Sequence, residues 1–362
     1  MSETGNTQTP QTPIMTSMIE QVLAHAINIK ASDVHISEGD FIGFRVHGEL
    51  SKFEQGGKIT KELAQRLALE LFRGDKEKLD EFLHRHDADF AYIAADGTPF
   101  RVNGFFKLAR IGFVLRRIER DAKRMEDLGL PEGVKKMLTA KQGLFLITGP
   151  TGSGKSTTMV SIIDRINETR NEHIITIEDP VEFIFTDKAS IFSQREVGRD
   201  TDSFVAAIRA AMREDPDIVV VGEMRDKETV EAAINLAETG HLVFSTLHTS
   251  GSVQTVNRLV QFFHPDIQNQ VRVRLGDSLL GVLSQRLIPK AEGHGRVAIH
   301  EIMYVTPAIK NLIKSGDLVQ INNNIELGTQ DGMISMKNSA LKLAEQGIVK
   351  EEDFMGYFTN DD

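Results

Sequence analysis

Eight residues, Gly149-Pro-Thr-Gly-Ser-Gly-Lys-Ser156, follow the spacing Gly-x4-Gly-Lys-Ser/Thr. That spacing suits the cradling of a polyphosphate. Glycines let backbone N–H groups close around phosphate oxygens, and a helix starting at the end of the loop adds its positive end. Lys155 is placed to reach the β- and γ-phosphates, and the Ser156 hydroxyl to ligate Mg²⁺. Gly149, Thr151, Gly152, Ser153, Gly154 and Thr157 complete the expected contact set. Context separates this from a glycine turn with a chance lysine. The apolar run Gly143-Leu-Phe-Leu-Ile-Thr148 reads as a buried strand, and Met159, Ile162, Ile163 and Ile166 follow at helical spacing. The expected ligands are a nucleoside triphosphate and Mg²⁺.

Such a site needs a carboxylate for the metal, a group that positions or deprotonates water, and a sensor of the γ-phosphate. Candidates stand where apolar runs end, since ligands of open α/β sheets collect at strand ends. Ile175-Thr-Ile-Glu178-Asp179-Pro180 ends in two acids, and Asp217-Ile-Val-Val-Val-Gly-Glu223 in one. Either Glu178 or Glu223 can act as general base, and either can hold Mg²⁺ directly or through water. The ordinary alternative is a surface carboxylate opening a loop. His241 and His248 bracket the run Leu-Val-Phe-Ser-Thr-Leu without a third ligand at metal spacing, so no metal site is expected there. His248, at the C-terminal end of that run, is the one placed to reach phosphate.

The elements that must position these groups follow from periodicity. Strands are expected at 143–148, 173–178, 217–222 and 242–247, each a continuous apolar run of the kind covered by helices on both faces. A further strand is expected at 297–303, with helices near 306–315 and 335–346. Upstream, Met15, Met18, Ile19, Val22, Leu23 and Ala26 recur at helical spacing, strands are expected at 33–37 and 41–46, and residues 60–72 return to helix. Two strands, 88–94 and 99–106, meet across Ala95-Asp-Gly97, and 111–118 adds another. Phe100 and Val102 face this core, which turns Arg101 and Asn103 away from it. Arg101, Arg110, Arg116 and Arg117 then form either a solvated face or a set that reaches a neighbouring subunit's nucleotide. The domain plan is a polar leader at 1–13, an α+β domain at 14–118, a charged linker at 119–139, a nucleotide-binding α/β core at 140–303 and a helical subdomain at 304–362.

Composition narrows the class. The formal charge of −10 and sequence pI of about 5.6 argue against nucleic acid as the main ligand, which needs concentrated positive charge. No apolar run approaches the ~18 residues of a membrane span, which points to a cytoplasmic protein that can still dock peripherally on a membrane. The chain has no cysteine, so disulfides and thiolate metal sites are excluded.

Together the motifs resemble the type IV pilus retraction ATPases, the PilT/PilU family of the secretion-type ATPase superfamily. The likeness spans residues 14 to about 350. It rests on Ala31-Ser-Asp-Val-His35, the phosphate loop, Ile174-Ile-Thr-Ile-Glu-Asp-Pro-Val-Glu182, Asp215-Pro-Asp-Ile-Val-Val-Val-Gly-Glu-Met-Arg-Asp226 and Glu238-Thr-Gly-His-Leu-Val-Phe-Ser-Thr-Leu-His-Thr249. Asn257-Arg-Leu-Val260 and Gly295-Arg-Val-Ala-Ile-His-Glu-Ile302 add to it. The resemblance implies a RecA-like core after a smaller PAS-like domain, a homo-hexameric ring, and nucleotide completed by an adjacent subunit. It assigns Glu178 as the catalytic glutamate, Glu223 as the Mg²⁺ partner, His248 as the γ-phosphate contact and His241 as its support. Arg101 and Arg116 match the arginines that reach the phosphates, and Arg110 stands one residue from a further family arginine. The implied work is ATP-driven pilus retraction at the inner membrane, on a platform protein, either alone or alongside a paralogous ATPase. Thr306-Pro-Ala-Ile-Lys-Asn-Leu-Ile313 carries Lys310 where the retraction signature has arginine, which weakens any bidentate contact there. An assembly or secretion ATPase of the same superfamily is disfavoured by the missing cysteines and the short first domain.

Overall fold

The computed structural model describes residues 17–46, 48–118 and 120–358. The expected leader and Met15 lie outside them. The chain divides into two compact units, Met1–Glu119 and Arg120–Asp362.

The first unit is α+β. Its opening helix, α1 (Met18–Asn28), starts where the Ser17 side chain accepts the Glu20 N–H, and it buries Ile19, Leu23 and Ala26. Strands β1 (Asp33–Ser37), β2 (Ile42–Val46) and β3 (Glu49–Phe53) precede helices α2 (Lys61–Leu71) and α3 (Lys76–Arg85). Strands β4 (Asp87–Ile93), β5 (Pro99–Lys107) and β6 (Arg110–Arg117) close an antiparallel sheet of order β3-β2-β1-β6-β5-β4. Alternation along β5 buries Phe100 and Val102 and leaves Asn103 exposed. One strand and one helix were unmarked by hydrophobicity: β3 is almost wholly exposed, and α3 buries only Phe82.

The second unit is α/β. A helical turn at Glu132–Val134 and helix α4 (Lys135–Thr139) bury Val134 and Met137 in its core. Alternation of strand and helix then runs β7 (Gly143–Thr148), α5 (Lys155–Thr169), β8 (His173–Glu178), β9 (Ile191–Glu196), α6 (Phe204–Ala211), β10 (Ile218–Val221), α7 (Lys227–Glu238), β11 (Leu242–Leu247), α8 (Ser252–Gln261) and α9 (Gln268–Ser278). Strands β12 (Leu279–Pro289) and β13 (Arg296–Tyr304) follow, with helices α10 (Pro307–Ser315), α11 (Gln320–Leu327) and α12 (Met336–Glu345) last. The sheet order is β13-β12-β7-β11-β10-β8-β9, parallel throughout except for the β12–β13 pair.

That order positions the site. From β7 the chain crosses to β8, while β11 and β12 take the places on either side of β7. A crevice forms at such a switch in direction, at the C-terminal strand ends where the phosphate loop emerges. All six residues of β7 and all four of β10 are buried, so both strand ends are fixed by packing on two faces. The fold is an α/β P-loop core preceded by a smaller α+β unit.

Candidate active site

The phosphate loop is held from the neighbouring strand. Gly149 has φ +146°, and a Cβ there would lie 2.2 Å from the Gln285 carbonyl oxygen of β12. Gln285 is almost fully buried and donates from Nε2 to the Ser153 carbonyl at 2.5 Å. Gly154 adopts φ +87° at the cap of α5, a conformation that side chains rarely take. The loop is therefore clamped between its own helix and β12, with Thr151, Gly152, Ser156 and Thr157 exposed at its mouth.

Lys155 is buried and lies back over the loop, donating to the Gly149 carbonyl at 2.8 Å and the Pro150 carbonyl at 3.1 Å. Burial pulls its ammonium below the ordinary lysine range, while Glu223 and Glu182 pull the other way. The His248 Nδ1 stands 3.5 Å from Lys155 Nζ and 3.3 Å from Thr151 Oγ1. On its other side, His248 Nε2 lies 3.2 Å from Glu223 Oε1. An ammonium can only donate, so the imidazole accepts at Nδ1 and donates from Nε2 to the carboxylate. His248 thus joins the phosphate loop to the end of β10, where Glu223 sits two residues past Val221. Arg225 completes the group: its Nε donates to Glu223 Oε2 at 2.8 Å, and its guanidinium lies 3.8 Å from Asp179.

Glu178 ends β8 on the same rim. Burial pushes its carboxyl above the ordinary range, against bonds to Oε1 from the Thr176 hydroxyl at 2.7 Å and the Gln194 amide at 3.4 Å. The Asp179–Pro180 peptide that follows is cis. Glu178, Glu223, His248, Lys155, Ser156 and Thr157 line one cleft of about 630 Å³. The six come from the end of β8, the start of α5 and the segments that follow β10 and β11, which are separated in sequence and adjacent at one end of the sheet.

Some expected residues stand elsewhere. His241 lies at the opposite, N-terminal end of β11 and bonds the Leu236 carbonyl at 3.1 Å, so support for His248 through direct contact is ruled out. Arg101 and Arg116 face each other across β5 and β6. Each is paired within its own unit: Arg101 donates from Nε and Nη2 to the two carboxylate oxygens of Asp89, and Arg116 donates from Nε to Asp33 Oδ1 at 2.8 Å. Lys310 of α10 forms an ion pair with Asp277 at 2.7 Å, a point contact that lysine serves as well as arginine. Two functional neighbours were not anticipated, Gln285 and Arg225. Gln285 gave no local signal, because its role depends on β12 lying beside β7. Arg225 stood within the quoted Gly-Glu-Met-Arg-Asp run and could have been found as the nearest cation to Glu223.

Among the described residues no group of three or more His, Cys, Asp or Glu is arranged to hold a metal ion, and no helix is long and apolar enough to cross a membrane.

The family model for type II/IV secretion system proteins matches residues 7–356. The chain belongs to the type II/IV secretion system protein family. Within that family it is similar to the type IV pilus retraction ATPase PilT of Pseudomonas aeruginosa, with 42% identity over 92% of this chain and 96% of the relative. The type IV pilus ATPase PilU of the same organism is 34% identical over 93% of this chain and 88% of its own length. Among solved structures, the crystal structure of the pilus retraction motor PilT with bound ADP superposes with a TM-score of 0.86, at 42% identity over 95% of this chain and 97% of that one.

Proposed function

We propose that this family member is an ATP-hydrolysing motor for type IV pilus retraction. The observation that carries the reading is the chain of contacts Lys155–His248–Glu223, each step within 3.5 Å, beside a half-buried Glu178 on the same cleft. A protein that only binds nucleotide needs the loop. It does not need an acid with a raised proton affinity at the loop's rim. Similarity to PilT above that to PilU favours the motor over an accessory ring, which is the runner-up reading.

In this reading Gly149, Thr151, Gly152, Ser153, Gly154, Lys155, Ser156 and Thr157 cradle the phosphates of ATP. Glu178 takes a proton from the attacking water, its burial making it a stronger base than a solvated glutamate. His248 turns a donor toward the γ-phosphate when it leaves Glu223, and so reports whether that phosphate is present. The donor set suits Mg²⁺, a hard cation that keeps phosphate and water ligands: Ser156 offers a hydroxyl and Glu223 a carboxylate on the same cleft. When bound, the ion neutralises charge on the β- and γ-phosphates. Arg101 and Arg116 are assigned to an adjacent subunit's nucleotide in a homo-hexamer, each exchanging its carboxylate partner for phosphate. The ring docks from the cytoplasm on an inner-membrane platform protein and works alone or with a paralogous ATPase; no nucleic acid is part of the cycle.

Phosphate release by the purified chain tests the enzyme assignment. Turnover that requires Mg²⁺ and is lost in K155A is expected. Tight ATP binding by the parent without turnover would place the chain among the accessory binders.

A further inference from the structure

Four residues, His248, Thr249, Ser250 and Gly251, join the end of β11 to the start of α8. Gly251, at φ +104°, has no side chain with which to cap that helix. A carboxylate from another strand does so. Glu301 Oε1 on β13 accepts the Ser252 N–H at 2.7 Å and the Ser252 hydroxyl at 2.7 Å. A negative charge at a helix N-terminus is favourable, and the N–H groups there have no partner within the helix.

The same corner is tied to the phosphate loop. Ser284 stands opposite Glu301 in the β12–β13 register. Its Oγ accepts the Gly251 N–H at 3.1 Å and shares a hydrogen bond with the Thr148 hydroxyl. Thr148 is the last residue of β7 before Gly149. Inside the turn, the Thr255 hydroxyl donates to the Gly251 carbonyl at 2.7 Å and lies 2.7 Å from Thr249 Oγ1. Thr148, Ser252, Thr255 and Ser284 are all excluded from water, so these bonds meet little competition. Burial also pushes the Glu301 carboxyl up, opposed by the two bonds from Ser252.

We propose that Glu301 is a positioning residue for the reaction: by capping α8 through Ser252 it sets the four-residue turn that places His248 against Lys155 and Glu223. The proposal rests on the reading of His248 given above. A turn this short, bonded at its far end to a rigid strand, transmits a shift of the cap to the imidazole. A misplacement of about 1 Å at a reacting centre can cost up to ~100-fold in rate.

The test is a double-mutant cycle on the full chain, measuring kcat and KM for ATP in the parent, E301A, H248A and E301A/H248A. Glu301 acting through His248 predicts that E301A lowers kcat roughly 10- to 100-fold with KM within about twofold. In the H248A background the same change should lower kcat by less than about twofold. E301Q keeps an acceptor for Ser252 and is expected to recover most of the rate. S252A, which loses one of the two bonds, should lower kcat severalfold in the parent and not in H248A, and it serves if E301A fails to fold. Equal losses in both backgrounds would overturn the proposal while leaving the His248 reading intact. An H248A chain with parental kcat would overturn both.

Discussion

Glu178→Gln separates chemistry from folding. The amide is the same size, and its oxygen can still accept from the Thr176 hydroxyl and the Gln194 amide, the two side-chain donors to Glu178 Oε1. What it cannot do is take a proton from water. General-base catalysis contributes roughly 10²- to 10⁴-fold, so kcat should fall by that factor, about 3 to 5 kcal/mol of barrier. Stability should move the other way or not at all. Burial raises this carboxyl in the folded chain, so at a given acid pH the folded protein holds the proton more often than the unfolded chain does. Ionisation therefore opposes folding above the folded value, and a neutral amide removes that opposition. Phosphate release, ATP affinity by equilibrium binding and Tm at pH 8 are the measurements. The expected result is a loss of turnover with affinity kept and Tm equal or higher. In the parent, the acid limb of kcat should lie above the ordinary carboxylate range for the same reason. A variant whose kcat stays within about threefold of the parent would refute the assignment of the base, and a fall in kcat matched by a fall in Tm would refute the argument from burial.

Other expectations follow from single contacts. G149A places a Cβ 2.2 Å from the Gln285 carbonyl at a φ of +146°, and such strain costs about 1–3 kcal/mol before any backbone shift; calorimetry should register a lower Tm together with weakened ATP binding, and an unchanged Tm would contradict the clamp by β12. His300 is buried on β13 with its Nε2 unpartnered, and burial takes its imidazole down to about 4. Its neutral form supports folding fully above about 6.5, and that support is lost as pH falls towards 4, a change of about 3 kcal/mol. H300L should flatten the denaturation midpoint across that window, and an equally steep profile would show another group responsible. R101A should cost about 10³-fold in kcat if Arg101 reaches phosphate, with little change in Tm because a partly exposed pair with Asp89 is worth at most about 1 kcal/mol; a kcat within tenfold of the parent would remove Arg101 from the site.

Much of the site was legible because its residues end buried strands. Continuous apolar runs such as Ile218-Val-Val-Val221 announce a parallel strand, and the acid or histidine that follows must then stand at the rim. Lateral order was not legible. Glu223 and His248 lie 25 positions apart in the chain and 3.2 Å apart in space because β10 and β11 are neighbours, and nothing within either strand says so. Strand β12 was missed for a related reason. Its run Leu279-Leu-Gly-Val-Leu-Ser-Gln-Arg-Leu-Ile-Pro289 carries Ser284 and Gln285 at buried positions, where they serve neighbours rather than the apolar core. Strand β9, with Ser193, Gln194, Arg195 and Glu196 all half-buried, likewise has no apolar pattern to betray it. Helix α11 was unmarked because Asn322, Asn323 and Asn324 interrupt its apolar spacing. Polar residues near the site were thus the least readable part of the fold.

The most direct test of the motor assignment is to follow fluorescently labelled surface pili in live cells whose chromosomal copy of this gene encodes E178Q. A retraction motor predicts pili that extend and then fail to withdraw, so that they accumulate while twitching stops. Cells that lose their pili would point instead to an assembly motor, and withdrawal at the parental rate would contradict the account.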